Sequence, residues 1–324
     1  MADRRSGSEA PRVHAHDATL PAGSHLGDPL AWTAWLALTV IFVLWGTTFL
    51  AMRVAVTHLP PFPMSGSRLV AAGSILAVMA VLSGTRTLPS RLSLQRYVLS
   101  GIAMYVGGNG VLSYAIQFVP TSVAALLIGT IPLWMVAIAV SLGRMRPKPI
   151  IVLGVLVGMG GAALVADPRG PFEPMPVALI LLSALSWAAG SLFSGHDLPQ
   201  DGPLAVVAVQ MLVGGSILLA LSVPLGQLSD VDVMELPAAG WLAMVWLVIP
   251  VGVATALAYA YSLRRFPTEL VAMYPFVNTV VAVALGWLLL GEQLPLQAAV
   301  GSVVILASAV VVVVKSPLRR PPTL

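Results

Sequence analysis

Two stretches decide the fold: 114–132, YAIQFVPTSVAALLIGTIP, and 261–279, YSLRRFPTELVAMYPFVNT. Laid over one another, they pair Tyr114 with Tyr261, Pro120 with Pro267 and Thr121 with Thr268, and the same spacing carries Gly154 onto Gly301. A slightly shorter spacing carries Trp45 onto Trp187. The chain therefore reads as a duplication, and the question is what solvent its two halves occupy.

Of the 324 residues, 58% are hydrophobic and only 9% are charged. A water-soluble domain carries about a quarter charged residues, so this chain cannot cover itself with a water-compatible surface. A bilayer core of about 30 Å needs roughly 20 apolar residues per helix. By that measure there are about ten spans: 35–54, 65–82, 97–117, 122–142 and 150–166, then 177–194, 204–225, 241–263, 270–290 and 297–314. The fold class read from this is an all-α integral membrane protein. Its expected parts are a disordered cytoplasmic tail at 1–32, five-helix repeats at 33–167 and 176–314, and a short cytoplasmic tail at 315–324.

The charges set the orientation. With the amino end inside, the inner segments hold Arg4, Arg5 and Arg12, then Arg86, Arg91 and Arg96, then Arg144, Arg146 and Lys148, then Arg264 and Arg265, and finally Lys315, Arg319 and Arg320. Only Arg53, Arg68 and Arg169 lie elsewhere. That bias places both termini in the cytoplasm of a plasma or inner membrane. It also explains the formal net charge of +4 without nucleic acid as a partner. Loop charges swap between the halves: 83–96 is basic where 226–237 is acidic, and 143–148 is basic where the matching loop holds Glu292. An odd number of spans per half forces the second copy in upside down. Inverted repeats of this kind are found in secondary transporters, with the solute site near mid-membrane between the halves.

Absences narrow the function. There are no cysteines for disulfides or thiol chemistry. No Walker A pattern occurs, and no histidine or carboxylate falls inside a span to activate a nucleophile or bind a metal. No catalytic residue, cofactor or metal ligand is assigned. His14, His16 and His25 fall in the polar tail, and His196 beside Asp197 reads as a solvated pair. Glu269 reads as an interfacial partner of Arg264 and Arg265, with a coupling role as the alternative. An intramembrane enzyme and a non-transporting receptor or scaffold remain the rival classes.

Further motifs carry a resemblance. WGTTFLAMR at 45–53, the prolines Pro60 and Pro61, SRLVAAG at 67–73, NGVLSYAIQFVPTSVAALLIGTIPLWMVAIAVSL at 109–142 and YPFVNTVVAVALGWLLLGEQLPLQAAVGSVVILAS at 274–308 resemble the drug/metabolite transporter superfamily, EamA-type branch. The likeness spans roughly 36–314. It implies ten helices in two inverted five-helix halves around a cavity, and a permease moving small metabolites, amino acids or drug-like compounds, as efflux by alternating access. Where relatives often have Asn-Pro, this chain has Asn278-Thr279, which removes the residue that would break the ninth helix there.

Candidate cavity residues are Trp45, Thr47, Thr48, Asn109, Tyr114, Trp134, Trp187, Tyr274 and Asn278. For the aromatic rings the alternative is packing at helix contacts. For the amides it is hydrogen bonding between helices, since an unpaired amide in hydrocarbon is costly. Arg53 and Arg68 have no intramembrane acid to pair with. They either reach the outer headgroups or, turned inward, favour a solute with a carboxylate or phosphate. The expected partners are a small-molecule solute and the lipid bilayer; a homodimer is compatible with this reading.

Overall fold

The computed structural model describes residues 29–84, 91–144, 148–165, 173–194, 202–229, 231–232, 234–266, 271 and 274–315. Most of both expected tails, His196 and Glu269 lie outside the described residues. Among the described residues the chain forms ten helical spans and no strand. They are α1 Pro29–Val56, α2 Pro61–Leu82, α3 at 91–115, α4 Thr121–Ser141, α5 Pro149–Val165, α6 Pro174–Ser194, α7 Pro203–Ser222, α8 Ala238–Ser262, α9 Tyr274–Leu290 and α10 Leu296–Lys315. Six are long and apolar enough to cross a membrane by length and composition: α1, α2, α4, α6, α7 and α8. Segments of α5, α9 and α10 are shorter but apolar.

Proline explains why the spans start earlier than hydropathy suggests. Pro29, Pro61, Pro149, Pro174 and Pro203 each open a helix, a position where the missing N–H costs nothing and the fixed φ already suits the helix. Two spans are not uniform. Residues Ile102–Gly110 of α3 and Ile249–Ala254 of α8 are π-helical, and the spacing that pairs Tyr114 with Tyr261 carries Ile102 onto Ile249. The first is loosened by Gly107, Gly108 and Gly110, the second by Pro250, which has no N–H to give. Carbonyls in the α3 segment accept hydroxyls from α6: Ser183 donates to Gly108 O at 2.7 Å and Ser186 to Ala103 O at 2.8 Å. α4 is interrupted at Gly129-Thr130, where one continuous span is expected from sequence. α9 runs unbroken through Asn278-Thr279.

Packing repeats between the halves. α2 packs along α7, and α5 along α10, each pair occupying equivalent places in the two repeats. α1 lies against α8 and α9, just as α6 lies against α3 and α4. This is the inverted two-repeat arrangement. Both equivalent pairs cross backbone to backbone at glycine. A Cβ on Gly66 would stand 2.9 Å from Gly215 O, and one on Gly161 2.9 Å from Gly301 O. Such close crossings are how helices associate where lipid removes any hydrophobic drive. Gly46 likewise admits α9, since a Cβ there would meet Asn278 O at 2.9 Å. Gly160, in contrast, faces open space.

The bundle has two distinct ends. At the first, Phe62 N–H donates to Gln227 Oε1 at 3.0 Å, and an apolar core of Met52, Ala55, Val56, Leu59, Met64, Ile116, Val119, Val123, Leu127 and Leu247 fills the space. Glu292, in the short α9–α10 loop, also binds here. Its Oε1 accepts from Thr121 N at 2.7 Å and Thr121 Oγ1 at 2.9 Å, and its Oε2 from Ser122 N at 2.9 Å. A carboxylate is thus set on the free N–H groups that open α4, where the helix dipole also favours it. Gly286 leaves room for that carboxylate, and a Cβ there would come 3.0 Å from Thr121 Oγ1. The second end is marked by Trp35 against Phe266 at 4.9 Å and by Thr33 Oγ1 within 3.0 Å of Tyr261 OH.

Two predictions follow from these contacts. Gly161→Val forces the α5–α10 crossing apart and should lower the melting temperature in detergent by about 5 °C or more, from about 1–3 kcal/mol of overpacking. Its neighbour Gly160→Val should change it by no more than about 1 °C; equal effects would refute the crossing. Glu292→Ala strips three hydrogen bonds from the start of α4 and should cost about 1–3 kcal/mol, read as earlier thermal unfolding.

Candidate functional site

Between the halves lies a cavity of about 270 Å³, walled by every span except α5 and α10. α1 supplies Trp45, Thr48 and Phe49, α2 supplies Arg68, and α3 supplies Met104, Tyr105 and Asn109. α6 contributes Ser183, Trp187, Ser191 and Ser194, α7 Gln210, α8 Thr255 and Tyr259, and α9 Tyr274 and Asn278. The dense core closes it toward the first end, while Ser194, the last residue of α6, lies at its other extreme.

Aromatic rings form two groups. Trp45 meets Tyr274 edge-on at 4.4 Å and Tyr259 at 5.8 Å, and those two tyrosines meet at 6.5 Å. The second group is Tyr105 with Trp187, which meet edge-on at 5.6 Å. Trp45 with Tyr259 and Trp187 with Tyr105 are pairs from equivalent helices, α1 with α8 and α6 with α3. The edge-on contacts, which include that of Tyr259 with Tyr274, follow from the ring quadrupole, positive at the edge and negative on the face.

The polar groups divide by whether they are already used. Gln210 Nε2 donates to Ser100 Oγ at 2.7 Å and to Ser194 Oγ at 2.8 Å, so it ties α7 to α3 and α6. Thr48 Oγ1 is buried with no hydrogen-bond partner, and the side chain of Asn278, 8% exposed, makes no hydrogen bond among the described residues. Arg68 is only 5% exposed. Its Nη2 donates to Asn109 Oδ1 at 2.5 Å and lies 3.8 Å from Met52 Sδ, while its Nε is buried without a partner. Ser65 Oγ completes that small cluster at 3.5 Å from Asn109 Oδ1.

The residues expected at the wall separate accordingly. Trp45, Thr48, Asn109, Trp187, Tyr274 and Asn278 line the cavity, and Arg68 with them. Thr47, Tyr114 and Trp134 are not among the lining residues, and their expected placement is corrected. Thr47 Oγ1 donates to Leu44 O at 2.7 Å and accepts Trp246 Nε1–H at 2.8 Å, which turns it toward α8. Tyr114 is exposed on the outer side of α3 beside Phe118, with ring centroids 5.5 Å apart. Trp134 packs against the α4–α6 apolar cluster around Ile131, Ala184 and Ala188. Arg53 is not at the cavity either: its Nη1 donates to Ile116 O at 2.6 Å and also to Gln117 O, capping the carbonyl end of α3. Tyr105 and Tyr259 were missed. Tyr105 could have been found from its place four residues before Asn109, on the same helix face.

No group of His, Asp and Glu among the described residues could hold a metal ion. The wall can offer a solute aromatic faces, hydroxyls, an amide and one cation. Comparison with known proteins agrees with the architecture. A solved crystal structure that is 22% identical, matched over 86% of this chain and 96% of its own, has a TM-score of 0.58. The inner membrane transporter YedA of Escherichia coli (strain K12) is 31% identical over 80% of this chain and 83% of its own length. A Salmonella typhimurium protein named as a probable amino-acid metabolite efflux pump is 25% identical over 88% and 96%. The model of the EamA-like transporter family matches residues 31–166 and 174–314, once per half. The chain is a membrane transporter of small molecules and belongs to the EamA-like family of the drug/metabolite transporter superfamily.

Proposed function

We propose that this transporter exports small amphipathic metabolites from the cell by alternating access, with the halves 33–167 and 176–314 rocking about the cavity between them. The observation that carries the reading is one cavity, built from both halves, with its aromatic and unpaired polar groups on the wall and a tightly packed core at one end. Basic residues concentrate at the other end, which supports a cytoplasmic position for that end and for both termini in an inner membrane. The conformation then corresponds to a cavity turned toward the cytoplasm. Rocking would break contacts at the first end, such as the Glu292–Thr121 cap, and make new ones at the second. The Salmonella typhimurium relative named as a probable amino-acid metabolite efflux pump supports export.

Counterflow in proteoliposomes across a metabolite panel tests the reading, with Asn278→Ala as the diagnostic variant. Loss of transport by about tenfold or more is expected while insertion and monodispersity persist; full transport by the variant removes Asn278 from the site, and no flux of any solute by the wild type removes the reading. Orientation has its own test. Because the chain has no cysteine, Ser191→Cys adds a unique thiol at the cavity. An impermeant maleimide should label it in inside-out vesicles and not in right-side-out ones, and the opposite pattern would invert the topology.

A further inference from the structure

We propose that Arg68 is the anion-binding residue of the cavity, and that the transported solute is an organic monoanion, a carboxylate attached to a flat apolar body. This rests on the transport reading above and names its substrate class. The starting point is a charge without a counter-charge. Arg68 is 5% exposed, two turns into α2, and no aspartate or glutamate lines the cavity with it. Guanidinium groups stay ionised in proteins. Its acceptors are uncharged, the amide oxygen Asn109 Oδ1 and, at 3.8 Å, the weakly accepting Met52 Sδ, and Nε has none. A buried cation held in this way is costly unless something anionic completes it.

The rest of the wall selects among anions. Arg68 is the only cationic side chain among the lining residues, so a doubly charged phosphate would bring charge that nothing balances. A carboxylate matches the planar fork of the guanidinium and needs only one such partner. Beyond Arg68 the wall is uncharged, its hydroxyls and amides set among apolar and aromatic side chains, with the rings of Trp45, Tyr274 and Trp187 beside a flat body. A cationic solute meets repulsion from Arg68 and no acid to hold it. Asn109 acts here as a positioning residue, since its oxygen fixes the guanidinium through Nη2.

Calorimetry on the purified full chain in lipid nanodiscs tests this with three probes of nearly one shape: phenylacetate, phenylacetamide and phenethylammonium. Phenylacetate is expected to bind tenfold or more tightly than the amide, the size of a charge-assisted hydrogen bond made away from water, and the ammonium weakest of all. Arg68→Gln, its fold checked by monodispersity and melting temperature, should bring the acid-to-amide affinity ratio to about one, and Arg68→Lys should restore part of the ratio. Equal binding of acid and amide by the wild type, preference for the ammonium, no binding of phenylacetate, or an undiminished advantage in Arg68→Gln would each overturn the proposal. The wild-type comparison decides even where a variant fails to fold. Binding is read without flux, so absence of counterflow would defeat the transport reading and leave this result to stand or fall alone.

Discussion

Backbones that touch without a side chain between them hold this molecule together. In lipid the tails around a helix are as apolar as leucine, so two helices gain by meeting only where they come close enough for dispersion and weak backbone contacts. Gly66 with Gly215 and Gly161 with Gly301 provide that proximity, and each pair joins helices that hold the same place in the two repeats. The α2–α7 pair contributes directly to the cavity wall. The α5–α10 pair stands outside it, with Leu153, Leu156, Leu296 and Val303 exposed on its outer faces. One crossing therefore shapes the path and the other buttresses it.

The two arginines of the first half illustrate how position along a helix decides the fate of a charge. Arg53 lies in the last turn of α1, where the carbonyls ending α3 are within reach, and it caps them. Cations are favoured at that end of a helix dipole. Arg68 lies about 10 Å from the start of α2. α3 packs beside α2, and the guanidinium turns to Asn109. Residue type is the same, yet one group completes a helix end and the other lines the central cavity.

Symmetry between the halves is a framework that the sequence then breaks. Trp–Tyr pairs recur on equivalent helices of the cavity wall, and π-helical turns begin at matching positions. At the α9–α10 loop, however, Glu292 binds the start of α4, whereas the first half has Arg144-Met145 where the second has Gly291-Glu292. A carboxylate cap at one end has no carboxylate in the matching position at the other. The two ends of the bundle are therefore held by unequal contacts.

Composition and the repeat were enough to determine a ten-span membrane protein of two inverted halves, because partition into lipid depends on apolar residues summed locally along the chain. Hydropathy set several helix starts too late, because proline at the first position opens a helix rather than breaking it. The cavity wall was legible only in part. Trp45, Asn109, Trp187 and Asn278 stood out as polar or aromatic residues in mid-span, but Thr47, Tyr114 and Trp134 look the same in sequence and face elsewhere. The Arg68–Asn109 pair joins residues from different helices, and the break in α4 depends on neighbours that no local pattern encodes. In water, an amphipathic stripe would have told inside from outside. Here both the lipid side and the packed side of a helix are apolar, so only the tertiary structure could decide which face of each span meets the cavity.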